Sequence, residues 1–294
     1  MTNFPIAIFC YNRPEHLKRT VDSLLANPEA KEMVVHFFSD AAKSDSDAQN
    51  VKAVRNYIKT VKGFASIHTH EASENLGLSK SIIGGVTEIL KTSEGIIILE
   101  DDMECRPFFL SYMLGGLTKY ASDKRVASIH AYSYPIENLP ESFFLKGADC
   151  WGWATWPRAW QFFEEDGNSL MNALKKKSLL KRFNYENSYP YQRMLERQIK
   201  GENQSWAVRW YASALLNDML TLYPGRSLIR NLGNDDSGTH GANTGIYEPL
   251  LATSLPGLPN KVEESNAGYR AFVRFFKKSR RRAILEKLGL KRLF

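Results

Sequence analysis

The sequence lacks the features of a disulfide-stapled, membrane-spanning or secreted protein. Its three cysteines, Cys10, Cys105 and Cys150, are an odd number at wide spacing. They indicate neither a disulfide framework nor a zinc site, and they fit a reducing compartment. No apolar run approaches the roughly 20 residues that a bilayer-spanning helix needs. The N-terminus shows no basic stretch followed by an apolar one, so we expect no signal peptide.

Both common glycine-rich phosphate loops are also missing. Neither G-x-G-x-x-G nor G-x-x-x-x-G-K-[ST] occurs after the first apolar run, residues 6–10. A phosphate-bearing ligand would therefore have to be held by side chains and a metal ion. A sugar-phosphate nucleotidylyltransferase would need a G-G-x-G-T-R-like loop here, and residues 10–14, Cys-Tyr-Asn-Arg-Pro, differ from it throughout.

The net charge of +7 belongs to one end of the chain. From Arg270 to Phe294 there are ten Lys or Arg and one acid, Glu286, so this segment carries +9 and the remainder −2. The body is therefore not a basic nucleic-acid binder. The 294 residues, with 43% hydrophobic and 24% charged side chains, suit one large α/β domain, alone or with an appendage.

Short apolar runs alternate with helical patterns through the first hundred residues. Residues 6–10, 33–38, 66–69 and 96–99 are predicted strands, and the stretches between them place apolar side chains at helical spacing. This alternation predicts βαβ units and a central, mainly parallel sheet.

Three adjacent carboxylates, Glu100 to Asp102, directly follow the predicted strand 96–99. Like charges this close repel, and a divalent cation would relieve the conflict. Hard oxygen ligands suit Mg²⁺ or Mn²⁺, although a solvated acidic turn would show the same three letters. Because parallel strands end at one edge of a sheet, Arg13, Asp40 and the turn 75–80 should converge on these acids.

The two side chains that follow the first strands have functional and structural interpretations. Arg13 can face a diphosphate, and Asp40 can accept hydrogen bonds from a ribose or a base. A surface role at a helix start and a role as a turn acid remain open for them.

Residues 4 to about 245 resemble the GT-A glycosyltransferases, nucleotide-sugar-dependent enzymes with a single Rossmann-like domain, and family 2-like bacterial members in particular. The resemblance rests on residues 6–14, Ser39-Asp40, 74–77 (Glu-Asn-Leu-Gly) and Glu100-Asp101-Asp102, which stand in the place of the DxD motif. It implies an α/β fold of the GT-A type over residues 1–250, with a nucleotide-binding half (1–104) and an acceptor half (105–250).

The resemblance also implies roles for individual residues. Asp102 would bind Mn²⁺ or Mg²⁺, and His240, in a polar loop broken by glycines, would be a further metal ligand or a structural histidine. The remaining side chains expected at the nucleotide-sugar donor, a UDP-sugar being favoured, are Cys10, Tyr11, Arg13, Asp40, Asn75, Lys80, Glu100 and Asp101.

Four tryptophans crowd the stretch from Trp151 to Trp160. They form either an aromatic core cluster or a platform for the acceptor sugar, because flat rings match the CH faces of pyranoses. The segment, W-G-W-A-T-W, also resembles the bacterial glycosyltransferases, and we expect Trp151, Trp153 and Trp156 at the acceptor.

Transfer with inversion needs a carboxylate base near the acceptor hydroxyl. In members of the family that act on N-glycans an Asp directly follows a second-half Trp, and here that position is Ala207. Asp149 and Glu202 are the remaining candidates for the base, and a retaining mechanism without one stays open.

The C-terminal segment combines cations with an interrupted apolar stripe. After a linker, residues 251–267, a basic amphipathic helix over 268–294 would place Phe272 and Phe276 in the interface of an anionic membrane. A solvated tail, or one that packs on a partner, is the alternative. We expect a cytoplasmic protein, peripheral on the inner face of the cell membrane, that binds no nucleic acid.

These observations predict a metal-dependent glycosyltransferase, a hexosyl- or N-acetylhexosaminyltransferase, for surface polysaccharide synthesis. Its acceptor would be a glycan or a lipid-linked glycan. The alternatives are a retaining transferase on the same fold and a catalytically degenerate, membrane-bound carbohydrate-binding protein.

Overall fold

The computed structural model describes residues 4–233 and 246–287. Its strands are β1 (Ile6–Cys10), β2 (Val34–Ser39), β3 (Ser66–Glu71), β4 (Ile96–Glu100), β5 (Met103–Cys105), β6 (Val126–His130), β7 (Ser142–Lys146), β8 (Trp153–Thr155), β9 (Leu220–Pro224) and β10 (Ile229–Asn231).

The α-helices include two of about one turn, α5 and α7. They are α1 (Pro14–Leu25), α2 (Asp45–Ile58), α3 (Leu78–Ile89), α4 (Phe109–Lys119), α5 (Pro157–Trp160), α6 (Gly167–Lys176), α7 (Leu180–Phe183), α8 (Tyr191–Ile199), α9 (Trp206–Leu216) and α10 (Asn266–Lys287), and a 3₁₀ turn spans Pro28–Glu32. In the described part of the chain no helix is long and apolar enough to span a bilayer.

Eight of the strands form one sheet, in the order β3-β2-β1-β4-β8-β6-β9-β7. Strands β1, β2, β3 and β4 pair in parallel, as do β6 and β9. Strands β8 and β7 run antiparallel to their neighbours. The prediction of an α/β fold with a central, mainly parallel sheet is therefore confirmed, since six of its eight strands run the same way.

Helices cover both faces of the sheet because its central strands are apolar on both sides. Successive side chains of a strand point to opposite faces. In β1, Ile6 and Ile8 contribute to a core cluster with α1 and α4, whereas Ala7 and Phe9 contribute to a second cluster with α3 and α9. Near-continuous apolar runs are typical of such doubly covered strands.

The segment predicted as a linker, residues 251–267, contacts the domain along its length. Ala252 donates to the carbonyl of Ser227, and Tyr120 donates its hydroxyl proton to the carbonyl of Pro259. Ser265 donates to the carbonyl of Phe144. The segment that leads to α10 therefore packs against the domain.

Helix α10 packs its first three turns against the domain. Phe272 and Phe276 are buried at 1% and 2% exposure. Phe272 contacts the rings of Tyr134 and Tyr223, at centroid distances of 5.1 and 5.6 Å. The structure thus corrects the expectation that these two phenylalanines face a membrane, because their rings fill the domain core.

Replacing Phe272 by alanine should lower the free energy of unfolding by about 3–5 kcal/mol, the usual cost of deleting a buried phenylalanine. Ile284→Ala, on the same helix but 48% exposed, should change it by less than about 0.5 kcal/mol. Urea unfolding of both variants measures the difference. Equal stability of the Phe272 variant and the unmodified chain would mean that α10 does not belong to the core.

Candidate active site at the strand ends

Parallel strands β1, β2 and β4 end at one edge of the sheet, and polar residues follow each of them. In the register of β1 and β4, Phe9 pairs with Glu100, so the residues after β1 lie beside Asp101 and Asp102. Antiparallel β8 starts at the same edge, because Trp153 pairs with residues near the ends of β4 and β6. The predicted convergence is therefore present in the backbone.

Arg13, at the start of α1, holds two of the three acids. Its Nη2 donates to Asp101 Oδ1 and, at 3.0 Å, to Asp102 Oδ2. The other oxygen of Asp101 accepts the backbone N–H of Tyr11 at 3.2 Å, and the residue is 2% exposed. Both carboxylate oxygens of Asp101 are thus engaged, so this residue supports Arg13 and is not the donor contact that we expected.

Asp102 keeps one carboxylate oxygen unengaged. Its Oδ1 is buried and has no hydrogen-bond partner among the described residues. A buried acceptor without a partner costs free energy, which a metal ion or a hydrogen-bond donor on a ligand would recover. Asp102 therefore fits the predicted role of metal ligand.

The described residues offer a cation few further ligands. Among residues 4–233 and 246–287, no group of three or more His, Cys, Asp and Glu side chains is arranged to hold a metal ion. Mg²⁺ commonly binds through one or two carboxylates, with waters and substrate phosphates completing its shell. The site therefore fits a metal that arrives with a phosphate ligand better than one held by the protein alone.

Burial raises the pKa of Glu100 and of Asp101 above the ordinary values of these carboxyls. For Glu100 the charges of Asp102 and Asp101 raise the pKa further, and Arg13 lowers it. One guanidinium thus compensates only part of the negative charge of three clustered acids. Additional positive charge at this position would stabilise their ionised forms.

Gly233 lies against the acids at the start of the segment that contains His240. The amide of Leu232 donates to the carbonyl of Asp102 at 2.8 Å. A Cβ atom on Gly233 would stand 2.4 Å from Asp102 Oδ2 and 3.2 Å from Arg13 Nη1. Glycine is therefore required for the backbone to approach this closely. His240 itself lies outside the described residues, and its role as a metal ligand stays a prediction.

Asp40 organises the loop before α3. Its Oδ1 accepts the backbone N–H of Leu76 at 2.9 Å, and its Oδ2 accepts that of Gly77 at 2.8 Å. The side-chain amide of Asn75 donates to Asp40 Oδ2 at 3.2 Å and to the carbonyl of Ala41 at 2.7 Å. Asp40 and Asn75 are therefore brought together as predicted, but their hydrogen bonds shape the loop.

Three other side chains predicted at the donor differ in accessibility. Cys10 is buried at 5% exposure inside the sheet, and burial raises its thiol pKa, so it is not available to a ligand. The Tyr11 hydroxyl accepts the backbone N–H of Lys43 at 2.9 Å. Lys80 is exposed in the first turn of α3.

Asp149 lies at the same edge of the sheet as the acid cluster, next to a buried histidine. Its Oδ1 is 3.9 Å from Nε2 of His130 and accepts the backbone N–H of Cys150 at 2.9 Å. Burial raises the pKa of Cys150, and the charges of Asp149, Glu100 and Asp102 raise it further. Residues 149–152 precede antiparallel β8, which begins at the edge where β4 ends, so Asp149 lies at the same edge of the sheet as the acids.

His130 is a site residue that the sequence analysis missed. It ends β6, its Nε2 accepts the backbone N–H of Trp151 at 3.0 Å, and its Nδ1 is buried without a partner among the described residues. Burial lowers the pKa of its imidazole. A neutral ring thus positions the loop that carries Asp149 and Trp151. The sequence contained a signal for this residue, because His130 is a polar residue at the end of an apolar strand, much as Asp40 directly follows β2.

The three tryptophans expected at the acceptor have different surroundings. Trp153 is 1% exposed and stacks on Trp206 at a centroid distance of 5.2 Å. Trp156 is 2% exposed and donates its indole N–H to the carbonyl of Leu117. Neither can present a ring to a sugar, so the structure corrects that expectation for both. Trp151 is half-buried and remains available.

Glu202, the other candidate base, lies on the surface between α8 and α9. Its side chain is 50% exposed and pairs with Arg197 Nε at 3.1 Å. No contact recorded for the described residues connects Glu202 to the acid cluster. Asp149 thus lies at the edge of the sheet where the acids lie, whereas Glu202 pairs with Arg197 on the surface.

Comparisons with known proteins give no family. No protein-family model matches the chain, and no curated protein matches it. Among solved structures, the chain is similar to S. aureus TarS, a glycosyltransferase, with 15% identity and a TM-score of 0.32. The alignment covers 49% of this chain and 25% of TarS. A similarity of this size supports no conclusion about activity.

Asp40→Asn should destabilise the loop before α3. The NH₂ group of the asparagine would face N–H donors at a position where a carboxylate oxygen now accepts their hydrogen bonds. We expect a loss of about 1–3 kcal/mol in unfolding free energy and faster hydrogen exchange at the amides of Leu76 and Gly77. Glu94→Gln, which removes the same charge from an exposed turn, is the control. Unchanged exchange at both amides would contradict the assignment.

Proposed function

We propose that the chain is a metal-dependent glycosyltransferase. It moves a sugar, with inversion, from a nucleotide-diphosphate sugar, a UDP-sugar being favoured, to a glycan or lipid-linked glycan in surface polysaccharide synthesis. The observation that carries the proposal is the unpartnered, buried oxygen of Asp102, beside Glu100 and Arg13 where parallel strands end. Open α/β sheets bind ligands at this edge.

Asp102 would hold the metal through its Oδ1, with Glu100 beside it. Bound Mn²⁺ or Mg²⁺ would neutralise the diphosphate leaving group and orient it. His240 is proposed as a second ligand from the loop that begins at Gly233. The guanidinium of Arg13 is already shared between Asp101 and Asp102, so its part is to set the position of Asp102.

The loop ordered by Asp40 supplies the other side of the donor site. It leads into α3, a helix of 12 residues, and the first turn of a helix favours negative charge. Lys80 adds an exposed cation in that turn. Arg209, in α9, stabilises this end of the helix, because its Nη2 donates to Ser79 Oγ at 2.7 Å. The donor nucleotide would lie between this loop and the acids.

Asp149 would be the base on the acceptor hydroxyl. A general base must come within hydrogen-bond reach of the proton that it removes, and Asp149 precedes β8 at the edge of the sheet that carries the proposed metal ligand Asp102. Its side chain keeps 21% exposure, so a substrate can reach it. Trp151, held by His130 next to Asp149, would contact the acceptor sugar.

Asp149→Asn should keep donor binding and lose transfer by roughly 10²–10⁴-fold, the usual contribution of a general base. Glu202→Gln should transfer at the normal rate, because its carboxylate is occupied by Arg197 on the surface. Single-turnover transfer and UDP titration of both variants separate chemistry from binding. Normal transfer by the Asp149 variant would exclude Asp149 as the base of an inverting mechanism.

Asp102→Asn should abolish the gain in UDP affinity that Mn²⁺ provides, because a neutral amide is a poor ligand for a hard cation. Isothermal titration with UDP, with and without Mn²⁺, measures this gain. Glu94→Gln should behave as the unmodified chain does. An equal Mn²⁺ effect in the Asp102 variant would exclude Asp102 as the ligand. Glycan binding without any UDP binding by the unmodified chain would favour the carbohydrate-binding alternative.

A further inference from the structure

Four cations share one exposed face of helix α10. Arg274, Lys277, Lys278 and Arg281 are all exposed, and their spacing of three, four and seven residues places them on the same side of a helix. They span about 10 Å along the axis, at 1.5 Å per residue. We call these four residues the cationic face.

The opposite side of α10 is docked on the domain. At 100° per residue, Phe272 and Phe276 lie across the helix from the cationic face, and both are buried. Arg280 adds a hydrogen bond from its Nη1 to the carbonyl of Asn187 at 3.1 Å. The side of α10 opposite the cationic face therefore packs on the domain.

The positive charge of this face is not compensated locally. Within residues 4–233 and 246–287, no carboxylate forms an ion pair with Arg274, Lys277, Lys278 or Arg281, and residues 271–285 of the helix contain no acid. The nearby acids Glu186 and Glu264 pair instead with Lys181 and Arg182. Four uncompensated charges on one side of a docked helix form a surface of strong positive potential.

We propose that the cationic face binds the anionic headgroups of a lipid bilayer through charge, without inserting the phenylalanines. A planar anionic surface matches cations that share one exposed side of a helix. Nucleic acid fits less well, because the chain outside residues 270–294 sums to −2 and offers no continuing basic track. The one apolar side chain exposed near this face is Ile284, among the side chains that the structure describes.

The packing of α10 on the domain also determines the orientation that the domain would have on the bilayer. Phe272 contacts Tyr134 at a centroid distance of 5.1 Å, and Tyr134 contacts Tyr132 at 5.4 Å. Tyr132 in turn contacts Trp151 at 4.7 Å, so a chain of aromatic rings connects α10 to the loop that carries Asp149 and Trp151. This orientation, which rests on the proposed function, would present the acceptor side to lipid-linked substrates.

The test replaces all four cations of the face by glutamine in the full chain. Binding to vesicles of phosphatidylcholine mixed with phosphatidylglycerol should weaken about a hundred-fold or more, because each cation near such a surface contributes roughly five-fold. The matched control, Lys52, Lys59, Lys175 and Lys176 to glutamine, removes the same charge from exposed positions elsewhere. It should bind almost as the unmodified chain does.

Three results would overturn the proposal: equal loss in both variants, no binding of the unmodified chain to these vesicles at low salt, or tighter binding to duplex DNA. If the quadruple variant unfolds, the salt dependence of the unmodified chain decides, since charge-driven binding must fall steeply as salt is raised. Asp102→Asn should bind vesicles normally, so a failure of glycosyl transfer is distinguishable from a failure of surface binding.

Discussion

The arrangement of the candidate site depends on the interaction of Arg13 with two buried carboxylates. Its guanidinium connects the start of α1 to Asp101 and Asp102 after β4, across the β1–β4 pair at the centre of the sheet. Buried charges are tolerated when they are paired and hydrogen-bonded. The pairing leaves one buried oxygen of Asp102 without a partner among the described residues. The interaction that stabilises the strand end therefore also leaves an oxygen that can bind a ligand.

The rest of the edge is built outward from this pair. On one side Asp40 folds the loop before α3 by accepting four N–H groups, from Ala41, Asn75, Leu76 and Gly77. On the other side His130 holds Trp151, and with it the loop of Asp149. Trp153, which follows that loop in β8, packs in a buried cluster with Trp160, Trp206 and Trp210. In the proposed function the two loops would form a donor side and an acceptor side, and transfer between two substrates requires that both be held at the same site.

The sequence predicted the alternation of strands and helices and the meeting of polar residues at the strand ends, because apolar runs and chain breaks are local signals. It could not show which apolar residues face solvent. Trp153, Trp156, Phe272 and Phe276 were expected at surfaces and are buried, since a patch of aromatic residues has the same composition in a core as on a binding platform. The antiparallel strands β7 and β8 were not predicted, and β8 is a strand of three residues inside the tryptophan-rich segment. The strand order predicted that Arg13 meets the acids, but which carboxylate oxygens it engages, leaving Asp102 Oδ1 without a partner among the described residues, depends on side-chain geometry.

The central claim is that the strand-end acids hold a nucleotide-sugar donor for transfer, and nucleotide release tests it most directly. The purified chain is incubated with a panel of nucleotide sugars and Mn²⁺, and free nucleoside diphosphate is measured over time. The account predicts that at least one nucleotide sugar, with UDP-sugars favoured, is cleaved, and that EDTA or Asp102→Asn abolishes the release. Absence of both cleavage and binding across the whole panel, or cleavage that persists at full rate in EDTA, would contradict it.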